Sequence, residues 1–102
     1  MKWQPQQAKD NRISSSSSII DMNNCENLEI RTGVFIIMDR DHDVYYIGKA
    51  KGKSLRDEIE KFAIKFAREI SPFKIKVLYT DHYNLATTLE SDLRDYYSTQ
   101  IK

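Results

Sequence analysis

The run Gly33-Val34-Phe35-Ile36-Ile37-Met38 contains no polar side chain, and it constrains the fold more than any other stretch of the chain. A strand with one wet face alternates apolar and polar residues, whereas an unbroken β-branched and aromatic run reads as a strand covered on both faces. The rest of the 102 residues must supply that cover, and a chain of this length holds one core of ordinary size. The apolar stretch Val34 to Met38 is too short to span a membrane, and the opening MKWQPQQ is too polar for a secretory signal, so a cytoplasmic protein with no membrane partner is expected. The single cysteine, Cys25, and the two histidines exclude an internal disulfide and the usual four-ligand Cys/His zinc site.

The flanking patterns supply the remaining elements. Asp39-Arg40-Asp41-His42-Asp43 is a polar turn, and Val44-Tyr45-Tyr46-Ile47 follows as the second strand of a hairpin, with Phe35 and Tyr46 on one face and Tyr45 on the other. Ser54 is placed to cap a helix in which Leu55, Ile59, Phe62, Phe66 and Ile70 recur at spacings of three and four, closed by Ser71-Pro72. Phe73, Ile75, Val77 and Tyr79 alternate as a half-buried third strand. Asn84 then caps a last helix whose buried stripe is Ala86, Leu89, Leu93 and Tyr96 or Tyr97. The expectation is an α+β domain over residues 28–102, with a mainly antiparallel three-stranded sheet flanked by helices in the order β-β-α-β-α. Residues 1–27, with the serine run Ser14 to Ser18, read as a polar, flexible or loosely docked tail, to which Trp3, Ile19, Ile20 and Met22 bring the apolar groups able to dock.

Sixteen Lys and Arg against fifteen Asp and Glu give a net charge of +1, which by itself points to no polyanionic partner. The sum hides a local excess: Lys49, Lys51, Lys53 and Arg56 follow the second strand with no acid among them. Read plainly this is a solvated basic loop; it also suits a segment that faces phosphate and leads into a helix N-terminus. The three glycines, Gly33, Gly48 and Gly52, cluster around the same hairpin, where backbone must turn or be approached closely.

Gly33-Val34-Phe35, then Tyr46 eleven residues on and the string Tyr46-Ile47-Gly48-Lys49-Ala50-Lys51, resemble the paired signature of the GIY-YIG nuclease superfamily. Asn84-Leu85-Ala86, leading to Leu89-Glu90, Leu93 and Tyr97, resembles that family's last helix. The resemblance covers about residues 30–101. It implies hydrolysis of phosphodiester bonds in DNA with one Mg²⁺ or Mn²⁺ ion. Glu90 would be the metal ligand, Tyr46 would position water or phosphate, an arginine would stabilise charge on the phosphate, and Lys49, Lys51 and Lys53 would lie along the nucleic acid.

Three of these positions have competing assignments. Counted from Tyr46 the arginine is Arg56, with Lys49 or Lys53 in reserve; aligned on the helix's first leucine, Glu58 falls there instead, with Gly52-Lys53 as an insertion. Glu90 could equally form a surface pair with Arg94, Arg56 one with Glu60, and Tyr46 could be an ordinary hairpin aromatic. Phe35 departs from the family, which has a tyrosine there as general base or part of its relay. Losing a positioned acid–base group lowers a rate by about 10²–10⁴-fold unless His42 or Tyr79 substitutes. No asparagine follows the last helix, which is a second departure. The leading expectation is thus a metal-dependent DNA endonuclease; the alternative is a degenerate member that binds nucleic acid or a protein without cutting. With no separate targeting domain in view, site choice would fall to the tail, a homodimer or a partner protein.

Overall fold

The computed structural model describes residues 1–66 and 74–97. The expected helix end at Ile70, Ser71 and Pro72, the strand start at Phe73, and Ile101-Lys102 lie outside them. The elements are β1 (Ser15–Ser16), β2 (Ile20–Asp21), β3 (Gly33–Met38), β4 (Val44–Ala50), α1 (Leu55–Phe66), β5 (Lys74–Tyr79) and α2 (Tyr83–Tyr97). From β3 onward the order is the expected strand, strand, helix, strand, helix.

β3 is buried at all six positions and lies in the middle of an antiparallel sheet of order β1-β5-β3-β4, with β2 also paired to β5. Its two faces feed two cores. Phe35 and Ile37 pack with Leu55, Ile59 and Ala63 of α1, whereas Val34, Ile36 and Met38 pack with Ala86, Leu89, Leu93 and Tyr97 of α2. The helices therefore cover opposite faces, as a strand with no wet side requires. Tyr97 is fully buried and Tyr96 is 45% exposed, which resolves the end of the α2 stripe.

The expected strand count needs correction. Among the described residues the sheet has five strands rather than three, because the segment read as a tail supplies β1 and β2. The serines contribute backbone rather than apolar surface. Ser14 N–H donates to the Tyr79 carbonyl at 2.8 Å and Ser17 N–H to the Val77 carbonyl at 2.9 Å. Where the register slips between β1 and β2, the Ser17 hydroxyl accepts the Val77 N–H at 2.8 Å. An otherwise open β5 edge is closed in this way. Trp3 is only 6% exposed and stacks on Tyr97 at 6.2 Å, and the Tyr97 hydroxyl accepts the Gln4 N–H at 3.0 Å.

The hairpin also differs in detail. β4 runs on to Ala50, so Gly48 lies inside the strand, opposite Phe35. Between Ile37 and Met38 the register shifts by one, leaving Tyr45 as an extra residue. Such a bulge turns successive side chains to one side. Tyr45 and Tyr46 both rest against the α1-side core, rather than pointing to opposite faces. Ser54 closes a 3-10 turn, Gly52–Ser54, and its hydroxyl donates to the Lys51 carbonyl at 3.0 Å instead of capping α1.

Gly48 is required by its cross-strand neighbour: a Cβ there would lie 2.4 Å from Phe35 Cζ. Gly48→Ala is expected to lower stability by about 1–3 kcal/mol. In chemical denaturation the pair Gly48→Ala with Phe35→Leu should cost less than the two single changes added, since the shorter side chain vacates the space. Additive costs would show that the two positions do not oppose each other. Trp3→Ala is expected to cost about 3 kcal/mol; a change within error would mean that the first residues are not part of the folded unit.

Candidate nucleic-acid interface

β4 forms one edge of the sheet, and α2 runs alongside it with Tyr83, Thr87, Glu90 and Arg94 at the i, i+4, i+7, i+11 spacing of one helical face. This polar stripe meets β4. Lys49 Nζ lies 3.8 Å from Glu90 Oε1, and Arg94 Nε lies 4.0 Å from the same oxygen. Arg94 Nε donates to the Ile47 carbonyl at 3.0 Å and its NH2 to the Tyr46 hydroxyl at 3.1 Å, with the guanidinium 5.3 Å from the Tyr46 ring centre. One arginine thus occupies an outward carbonyl of the edge strand and ties Tyr46, which faces the α1 side, to Glu90 on the α2 side.

Tyr46 stacks on Phe62 with ring centres 4.3 Å apart, and Phe35 lies diagonally behind at 6.1 Å. Burial raises the Tyr46 phenol above its ordinary value, with Arg94 opposing the rise and the carboxylates of Glu90 and Glu58 adding to it. Tyr46 therefore keeps its proton at neutral pH and suits positioning rather than proton abstraction. Further along β4, Lys49 Nζ and Lys51 Nζ lie 5.5 Å and 5.1 Å from the centre of the Tyr83 ring.

The other expected site residues lie apart from the charged groups of Lys49, Glu90 and Arg94. Phe35 is fully buried on the α1 side, with the sheet between it and Glu90. Arg56 donates through NH2 to the Leu28 carbonyl, and its buried Nε has no hydrogen-bond partner among the described residues. Its charge acts on Cys25 and Tyr79, while Glu58 is the member of that turn whose charge reaches Tyr46. His42 is the tip of the hairpin, at φ 68, where its carbonyl accepts the Trp3 N–H at 2.8 Å. Tyr79 accepts the Glu29 N–H at 3.0 Å and borders a cavity of about 360 Å³, with Ser16, Asn27 and Glu29, beside β1 at the opposite edge of the sheet from β4. Lys53 is exposed in the 3-10 turn, and Gly33 lets the Leu78 carbonyl approach to 2.6 Å of where a Cβ would stand.

Glu90 offers hard oxygen donors, as Mg²⁺ or Mn²⁺ prefers, and an ion held by one carboxylate fills its other positions with water and substrate phosphate. Among the described residues, however, no group of three or more His, Cys, Asp or Glu comes together, and Glu90 already lies between two cations. Arg94 and Tyr83 were missed as site residues. Their helical spacing from Glu90 was visible in the sequence, but not which face of α2 would meet β4.

No family model matches the chain, and no curated protein matches it. Among the described residues no helix is long and apolar enough to cross a membrane.

Burial raises the phenols of Tyr79 and Tyr97 as well as Tyr46. The folded state holds these protons more tightly than the unfolded chain does, so the associated stability is complete below about pH 10 and is lost as the pH rises through the higher folded values. Denaturant midpoints should therefore fall above about pH 10, and fall less in Tyr97→Phe than in the parent. An equal fall would exclude Tyr97 as a contributor.

Proposed function

We propose that the chain is a small nucleic-acid-binding domain of GIY-YIG-like architecture that grips the phosphate backbone along β4 and α2 without cutting it. The observation that carries this reading is the convergence of Lys49, Lys51 and Arg94 around Tyr46 and Tyr83 on a single sheet edge. Cations held beside aromatic rings on a sheet edge suit a charged backbone with flat bases. The absence of a hydroxyl at Phe35 and the engagement of Arg56 with the Leu28 carbonyl count against hydrolysis.

One observation favours a second reading, metal-dependent cleavage of DNA: the Tyr46 hydroxyl and the Glu90 carboxylate share Arg94. There Glu90 would hold one Mg²⁺ or Mn²⁺, which supplies Lewis-acid stabilisation of phosphate charge when bound. Tyr46 would donate its hydroxyl proton in a hydrogen bond to a phosphate oxygen, and Arg94 and Lys49 would neutralise the backbone on either side.

Glu90→Gln separates the two readings. For a binder it removes the acid that lies between Lys49 and Arg94 and should tighten binding to labelled DNA about two- to five-fold in EDTA. For a nuclease it should abolish Mg²⁺- or Mn²⁺-dependent cutting of supercoiled DNA. Three contacting cations, Lys49, Lys51 and Arg94, predict that log affinity for a single strand falls with log salt at a slope of about −2. Binding insensitive to salt, or cutting by the parent that Glu90→Gln abolishes, would overturn the binding-only reading.

A further inference from the structure

We propose that Tyr83 stacks an unpaired base while Lys49 and Lys51 hold the phosphates beside it, so that this edge selects single-stranded over duplex nucleic acid; the inference rests on the nucleic-acid reading above. Tyr83 is the first residue of α2, is 36% exposed and belongs to neither core cluster. Packing therefore does not account for a large aromatic at this position. Two ammonium groups lie within 5.5 Å of its ring centre, one from inside β4 and one from the residue that follows it. Phe62 also carries two lysines, Lys61 and Lys65, but it stacks on Tyr46 and packs against the α1-side core.

In the free protein the lysines rest on the Tyr83 ring, where the aromatic face attracts them. A base has a flat π-face of its own and replaces them there, and the displaced ammonium groups, tethered beside the ring, are free to pair with the phosphates that flank a stacked nucleotide. Bases in a duplex are occupied by their neighbours, so the ring gains nothing from a duplex unless it first unstacks a pair. From Tyr83 to Arg94 the α2 stripe extends roughly 16 Å at about 1.5 Å per residue. A single strand anchored at Tyr83 can thus continue past Lys49 to Arg94.

The test is fluorescence anisotropy of the full chain, without divalent metal, on a short mixed-sequence single strand and on a hairpin duplex of equal charge. The parent should bind the single strand more tightly. Tyr83→Ala should weaken that binding about ten-fold and leave the duplex unchanged, while Tyr83→Phe and Tyr83→Trp retain it. A 2-aminopurine placed in the strand should be quenched by the parent and not by Tyr83→Ala. An equal loss on both substrates, no loss, or loss in Tyr83→Phe as large as in Tyr83→Ala would overturn base stacking while leaving nucleic-acid binding intact. A parent that binds neither substrate would overturn both.

Discussion

The fold depends on β3 having no face in water. Six consecutive buried residues, Gly33 to Met38, oblige the chain to place one helix on each side of the sheet and a strand on each flank. Once α1 covers Phe35 and Ile37 and α2 covers Val34 and Ile36, only two sheet edges remain with unpaired backbone. Each edge is managed differently. The β5 edge receives the serine segment, whose backbone and Ser17 hydroxyl complete the ladder. The β4 edge meets the polar stripe of α2, and Arg94 answers the Ile47 carbonyl directly. The candidate interface is thus the polar seam between an edge strand and the helix beside it.

This arrangement divides the residues that the resemblance to the GIY-YIG signature groups together. Phe35 and Arg56 serve the α1 side, one covering Gly48 and the other holding the Leu28 carbonyl. Glu90 and Lys49 serve the α2 side. Tyr46, paired with Ile37 on the edge strand, communicates between them: its ring faces Phe62 and its hydroxyl meets Arg94. The basic character of the seam is modest, since Glu90 offsets part of it, and that balance makes Glu90 the residue whose charge matters most for either reading.

Much of the frame was legible because burial imposes periodicity. Leu55 and Ile59, Leu89 and Leu93, and the uninterrupted β3 run each carry their own spacing, and each lies where that spacing puts it. What escaped was decided by backbone. Serines at 14–18 have no apolar period, yet an open strand needs only donors and acceptors, so composition alone misjudged them. An inserted Tyr45 breaks strict alternation without any unusual residue to mark it. Two residues apart in the first turn of α1, Arg56 donates to the Leu28 carbonyl while Glu58 is the group whose charge reaches Tyr46, a division that the spacing from Tyr46 does not reveal. Of the candidate site, Tyr46, Lys49, Lys51 and Glu90 were identifiable from motif and charge, while Arg94 and Tyr83 needed the helix to be seated first.

The strand order carries a consequence for how the chain is made. β5 stands between the N-terminal strands and β3, so Ser14 and Ser17 must find partners 65 and 60 residues later in the chain. The β3–β4 hairpin can close as soon as it leaves the ribosome, but the serine segment has nothing to pair with until residue 79 has emerged. Such long-range pairing slows folding relative to local contacts. During synthesis the serine segment waits in solution beside a half-built sheet, and its polarity keeps that interval free of sticky surface.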